Sequence, residues 1–416
     1  MRLLFVHQNM PGQYRELVPW LARDGRHEIA FLTQRRAPPK VEQVRTIIYK
    51  PHHRAGAKAY GLSKVWESAT GSGYGAARAA QALERDQGFK PDIVVGHVGW
   101  GELTFFKEVW PDVPIIGYFE YFYQQDGGLI GFEPDEHVSP DSPFLLAARN
   151  AVPLTNIEVV DQGQCPTRWQ RDRFPVSFHE RMYQCHDGIR CDRLHADLDA
   201  SVRLSRLQHT VSREDEIVTY VARNLEKARG FHILMRALPE IQRARPDARI
   251  LIVGGNDVSY GGPSEHPGSL RAEMEKELGA EVDWNRVHFL GQVPYNDFVR
   301  IMQISRCHIY LTKPFVLSWS VMEAMAMQAT IVASDVAPVR EMITHGETGL
   351  LVDFHDPRAL AAQVSDVLAA PKDYVSLGDA ARAFVLDKHD FLTRCLPEHL
   401  RQINALVPKD RHIALP

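Results

Sequence analysis

Cysteine is scarce and its spacing is unpaired. The five that occur, Cys165, Cys185, Cys191, Cys307 and Cys395, are odd in number and nowhere form a CxxC. That argues against a disulfide framework or a structural zinc site and fits thiols in a reducing cytosol. No run of about 18 apolar residues occurs, so no segment reads as a membrane-spanning helix. The amino-terminal MRLLFVHQNM enters a strand-like run without the apolar stretch of a signal peptide. The expected location is the cytoplasm, with a peripheral contact at the inner face of a membrane left open. Charge of either sign is not in excess: 48 basic and 52 acidic residues leave a formal charge of -4, which disfavours nucleic acid as a partner. The glycines of Leu251–Asn256 lack the Gly-x-Gly-x-x-Gly spacing of a dinucleotide fingerprint, so a dehydrogenase is disfavoured. No Asp-x-Asp is read as presenting a metal to a diphosphate, and no His-Glu-x-x-His or cysteine pair offers a zinc site, so the expectation is no metal site and no cofactor.

What is present is length and rhythm. A chain of 416 residues can bury two cores of ordinary size. Short aliphatic runs at 3–6, 29–32, 44–49, 92–96 and 114–119 alternate with longer amphipathic stretches, one of them from about 61 to 87. The same rhythm returns at 217–222, 249–255, 287–291, 308–312, 329–334 and 349–354. Such alternation predicts βαβ units, an α/β class and two mainly parallel sheets. Weak periodicity at 188–213 puts the linker near 195–212, with a cleft beside it. The expected domains are 1–200, 201–385 and a terminal stretch, 386–416, whose last helix crosses back to the first domain. No solenoid repeat and no low-complexity segment occurs.

In open α/β sheets ligands bind beyond the carboxyl ends of strands, so the loops there carry the candidates. After the strand at 308–312, the break at Lys313-Pro314 and a helix starting near Ser318–Ser320 predict free amides facing a ligand's oxygens at Ser318, Trp319 and Ser320. Glu323 is expected in that helix's first turn, where a carboxylate accepts hydrogen bonds from hydroxyls. That pairing suits a nucleotide sugar, with the alternative that Glu323 is only a helix-start charge. After 217–222 comes Arg223-Asn-Leu-Glu-Lys227-Ala-Arg229-Gly230, whose arginines offer planar forks for a diphosphate, Lys227 being the competitor. The loop 7–13 places Gly12 ahead of a helix expected over 14–22. His97 ends another strand. Tyr118, Phe119, Tyr121, Phe122 and Tyr123 stand beside Glu120 and Asp126, a mixture suited to a sugar or lipid-phosphate acceptor and equally to a core. The loop Gly291–Pro294, with Val293, is placed to read a nucleotide base by backbone and shape.

These segments resemble the family-four (group 1) retaining glycosyltransferases. Glu323, Ala324, Met325 and Ala326 match the second half of that family's donor signature, while Phe315 stands where its first glutamate would be. The resemblance implies a GT-B fold of two facing Rossmann-like domains with a deep interdomain cleft. It makes Arg223 and Arg229 the catalytic cations on the diphosphate, Arg229 in place of the usual lysine, and turns the Gly12 loop toward the donor. His97, in a Pro91-Asp92-x-x-x-x-His pattern, is expected at the reacting centre. Ser318, Trp319, Ser320, Phe315, Val293, Lys227 and Glu323 would bind the donor, and Glu120, Tyr121 and Tyr123 the acceptor. The implied activity is metal-independent transfer of a sugar from a nucleoside-diphosphate sugar to a hydroxyl of a polysaccharide, glycolipid or glycan precursor. The alternatives are another GT-B enzyme, such as a nucleotide-sugar epimerase, and a non-catalytic nucleotide-sugar-binding protein.

Overall fold

Strands buried on both faces read as unbroken aliphatic runs, because helices must cover a parallel sheet from both sides. The computed structural model describes residues 1–204, 209–260 and 268–416. These form two compact units: Met1–Ile130 with His137–Gly188 and Phe391–Pro416, and Gly131–Glu136 with Ile189–Asp390.

The first unit holds a seven-stranded sheet built from β1 (Arg2–Val6), β2 (Glu28–Thr33), β3 (Val44–Ile48), β4 (Ile93–His97), β5 (Ile115–Tyr118), β6 (Gln162–Cys165) and β7 (Met182–Gln184), in the order β3-β2-β1-β4-β5-β6-β7. All its pairings are parallel, with Leu3 opposite Ile29 on one side and Ile93 on the other. The first five strands lie where the apolar runs predict them. β6 and β7 are additions: Gln-Gly-Gln-Cys carries no apolar pattern, and the side chain of Gln164 is satisfied by the Cys185 carbonyl instead.

In the second unit β8 (Ser201–Leu204) and β9 (His209–Ser212) form an antiparallel pair. A six-stranded parallel sheet follows, from β10 (Ile217–Asn224), β11 (Arg249–Gly255), β12 (Val287–Gly291), β13 (Cys307–Tyr310), β14 (Ile331–Ser334) and β15 (Leu350–Val352), in the order β12-β11-β10-β13-β14-β15. The expected linker is thus partly a β-pair; its residues 205–208 lie outside the described residues.

The units divide at Gly188/Ile189 and Asp390/Phe391, not near 200 and 386. Packing explains both shifts. Ile189, Cys191 and Leu194 are buried against Met322 and Met325, and Arg382 Nη1 donates to the Leu194 carbonyl over 2.7 Å. Phe391, Leu396, Leu400 and Ile403 instead join Leu3, Phe5 and Ile29 beneath the first sheet.

Candidate functional site

Arg229 is a buried, closely held charge of the second unit. β10 ends at Asn224, and a single 3-10 turn, Lys227–Arg229, precedes the helix Phe231–Ala244. The guanidinium is buried, so it must be hydrogen-bonded to be tolerated there. Its Nη1 donates to Thr312 Oγ1 at 2.9 Å and to the Val316 carbonyl at 3.0 Å, both just beyond β13. Ring faces complete the enclosure: Cζ lies 5.0 Å from the Tyr260 centroid and 5.8 Å from that of Phe315, and those rings are 5.0 Å apart. The contacts that hold this cation are neutral oxygens and aromatic faces, which leave its charge for a ligand. Tyr260 is itself fixed, since Glu226 Oε2 accepts from the amides of Ser259 (3.3 Å) and Tyr260 (3.0 Å). Arg223 and Lys227 stand exposed on the same strand end and turn.

The helix after β13 spans Trp319–Ala326 with Ser318 as its N-cap. Glu323 is its fifth residue and lies in the second turn, not the first. The expected row of free amides is also reduced. Ser318 N donates to Tyr310 Oη (2.9 Å), Ser320 N to Ser318 Oγ (3.2 Å) and Val321 N to the Ser318 carbonyl (3.3 Å). Two serines suited to capping sit two positions apart, and one caps the other's amide. Glu323 is buried and accepts from Tyr295 Oη at 2.9 Å, a partner the sequence did not suggest. Val293 packs into two apolar clusters.

In the first unit the loops after β1 and β4 bring two histidines together. His7 and His97 are buried with ring centroids 5.3 Å apart, and Trp100 stacks on His97 at 4.1 Å. His7 Nδ1 accepts from Asn9 N and His97 Nδ1 from Gly99 N, each at 2.9 Å, which puts the ring proton of either neutral imidazole on Nε2. His7 Nε2 then donates to Gln13 Oε1 (2.7 Å), Gln13 Nε2 to Glu120 Oε1 (3.1 Å), and His97 Nε2 lies 3.5 Å from Glu120 Oε2. Burial, with His97 beside it, pulls His7 down to about 3, against the hydrogen bond to Gln13, so it is neutral at physiological pH.

Gly12 has a packing role that the sequence did not suggest. At φ +54° a Cβ would stand 2.5 Å from His7 Nε2, so its missing side chain makes room for an imidazole within the chain. Gly99 does the same for His97, its Cβ position being 2.7 Å from that ring. The helix expected over 14–22 is a 3-10 turn, Gly12–Tyr14, and then Leu17–Arg23. His7 and Gln13 were legible only as loop residues; the signal that singles them out is Gly12 next to a histidine-ended strand.

The aromatic stretch after β5 divides. Phe119 and Phe122 pack on Phe174. Tyr121 and Tyr123 pair at 5.1 Å and lie under Arg173 and Arg149, and Arg173 also donates to the carbonyls of Phe122 and Gly127.

The Glycosyl transferase family 4 group matches residues 25–194, and Glycosyl transferases group 1 matches residues 204–384. A GDP-mannose-dependent alpha-(1-6)-phosphatidylinositol monomannoside mannosyltransferase of Mycolicibacterium smegmatis is 28% identical over 238 residues, 55% of this chain and 58% of the relative. A D-inositol 3-phosphate glycosyltransferase of Corynebacterium glutamicum is 29% identical over 187 residues, 44% of this chain and 42% of the relative. The chain therefore spans only about half the length of these curated relatives. Among solved structures, a sucrose-phosphate synthase from Thermosynechococcus elongatus superposes with TM-score 0.71 at 17% identity, over 97% of this chain and 99% of the other. Anabaena HepE in complex with UDP-glucose gives 0.67 at 15%, over 97% and 99%. At such identities the likeness to solved structures is one of fold.

Proposed function

Because this chain belongs to the group 1 glycosyltransferases, with a family 4 first half and the GT-B fold, we propose that it moves a sugar from a nucleoside-diphosphate sugar to an acceptor hydroxyl, with retention and without a metal ion. The observation that carries this reading is Arg229, a buried cation held by neutral groups at the carboxyl ends of parallel strands. In this scheme the bond from the anomeric carbon to the leaving phosphate oxygen breaks as the bond to the acceptor oxygen forms on the same face. The acceptor's proton passes to the departing phosphate. Arg229 and the exposed Arg223 stabilise that phosphate's growing charge, for which one well-placed donor is worth about 3 kcal/mol. Glu323, oriented by Tyr295, accepts hydrogen bonds from ribose hydroxyls.

The acceptor class is a polysaccharide, glycolipid or glycan precursor, and the names of the curated relatives favour an inositol-containing or lipid-linked one. No described helix is long and apolar enough to cross a membrane. Helix Ser142–Arg149 leaves Phe144 63% exposed, an apolar side chain available for a peripheral contact with a lipid surface. One assay covers both points: nucleoside-diphosphate hexoses are offered with acceptors in solution and in vesicles, and the product's anomeric configuration is read by NMR. Retention and a higher rate on vesicles are expected. An inverted product, or an epimerised donor without transfer, would sink the reading.

A further inference from the structure

Two arginines of the second unit, Arg213 and Arg306, are not explained by donor chemistry. Strands β10 and β13 are parallel neighbours, with Val218 opposite Cys307, and their carboxyl ends lead to Arg229 and to the Thr312 that holds it. Their amino ends carry a second group of cations. Arg306 immediately precedes β13, and Arg213 lies in the turn between β9 and β10. That turn is fixed by its own side chains. Asp215 Oδ2 accepts from Ser212 N at 2.8 Å, Ser212 Oγ accepts from Glu214 N at 3.2 Å, and Asp215 N donates to the Ser212 carbonyl at 3.2 Å. Arg306 is tied to the same segment twice, its amide donating to the Ile217 carbonyl (2.8 Å) and its Nη2 to the Glu214 carbonyl (2.9 Å). One guanidinium is thus anchored on the residue that follows the other arginine.

What the pair lacks is a counter-ion. Both residues are half-buried, and among the described residues neither has a carboxylate within ion-pair distance. Arg306 Nε is buried with no hydrogen-bond partner, and Arg213 makes no hydrogen bond among the described residues. The nearby carboxylates are engaged elsewhere: Asp215 holds the Ser212 amide, Asp379 accepts from Gln328 Nε2 at 2.6 Å, and Glu214 is exposed. Burial, and then the charge of Arg306, lower the Arg213 guanidinium from its ordinary value, with Asp379 opposing. Two like charges held together, one with a buried unpaired N–H, are costly unless something bridges them. A tetrahedral oxyanion does so, because each guanidinium offers a planar fork of donors to its oxygens.

We propose that Arg213 and Arg306 form an anion site for a phosphate group, at the amino ends of β10 and β13 and distinct from the site of Arg229. The proposal does not rest on the transferase reading. A small soluble phosphate and a phospholipid head group share this chemistry, and the test separates them.

Inorganic phosphate and glycerol phosphate are titrated into the full chain at constant ionic strength, and binding is read from the rise in unfolding temperature. The series is repeated with Arg229→Ala, which removes the other cation able to take a phosphate. A saturable rise is expected in both proteins. Arg213→Ala and Arg306→Ala should each weaken the phosphate at least tenfold, and Arg306→Lys, which keeps the charge and loses the fork, should recover only part. Co-sedimentation with phosphatidylglycerol vesicles forms the second arm. Dependence on both arginines with glycerol phosphate assigns a soluble phosphate, and the same dependence with vesicles alone assigns a lipid head group. The proposal is overturned if neither phosphate nor vesicles bind the parent, or if either Arg213→Ala or Arg306→Ala binds as the parent does. It is also overturned if Arg229→Ala alone abolishes the response.

Discussion

At the scale of single residues, Phe315 is where the chain departs most from its family's donor signature, and its surroundings say what the departure does. Its ring lies beside Tyr260 and within 5.8 Å of the Arg229 guanidinium carbon, so it helps enclose a cation. A phenyl ring cannot accept hydrogen bonds from a sugar, and a hydroxyl buried against it would cost about 1–3 kcal/mol. A donor with a hydroxyl missing at that point avoids the cost. Phe315→Glu should have two separable effects. The new carboxylate should pair with Arg229 and slow turnover, and among the remaining turnovers preference should move toward the fully hydroxylated donor. Competition between matched deoxy and hydroxy nucleotide sugars measures the second effect whatever the rate. An unchanged preference would place Phe315 outside the sugar's reach. The sequence singled out Arg229 and Phe315 as candidates because each stands in a motif. It did not identify Tyr260, Glu226 or Tyr295, because each meets the site through a contact across loops that have no shared spacing.

At the scale of elements, the six residues Gly131–Glu136 form a short segment that packs within the second unit although the chain on both sides belongs to the first. Phe132 lies against Phe354 and His355, at 5.1 and 4.8 Å. Glu133 is 3.2 Å from His232 Nε2 and 3.4 Å from Lys313 Nζ, and Glu136 is 3.1 Å from the same Lys313. Burial raises the Glu133 carboxyl, but the hydrogen bond from His232 and the charges around it outweigh that and bring it from 4.5 to about 2. Burial lowers His232, which therefore donates as a neutral ring at pH 7 and leaves Lys313 as the positive charge. A carboxyl depressed in the folded state adds stability that is complete above its unfolded value and fades as pH falls from about 4.5 toward 2. Glu133→Gln should lower the urea midpoint at pH 7 and flatten its decline between pH 5 and pH 3.5. Parallel declines in parent and variant would remove Glu133 from the balance. Elements also show what sequence can carry. The strands of the second sheet were legible since both their faces are buried and aliphatic. β6 was not, as its buried Gln164 is held by a hydrogen bond to the Cys185 carbonyl and the strand has no apolar period. The turn holding Glu323 was misjudged for a related reason: Ser318 and Ser320 are equally good caps by type, and only the fold selects Ser318.

At the scale of the whole molecule, each unit brings a different chemistry to the carboxyl ends of its own parallel strands. The second presents the held cation Arg229, the exposed Arg223 and Lys227, and the buried Glu323. The first presents His7 and the Glu120 carboxylate linked through the Gln13 amide, with His97 Nε2 3.5 Å from that carboxylate. The cationic groups suit a diphosphate. The central claim is that Arg229, not a metal ion, meets the diphosphate. Isothermal titration of UDP, GDP, ADP and TDP into the full chain in excess EDTA, repeated with Arg229→Ala, tests it most directly. At least one nucleotide should bind the parent without a divalent ion, and the variant should bind it at least tenfold more weakly while remaining folded. Binding that appears only with magnesium or manganese, or that is as tight in Arg229→Ala as in the parent, would contradict it.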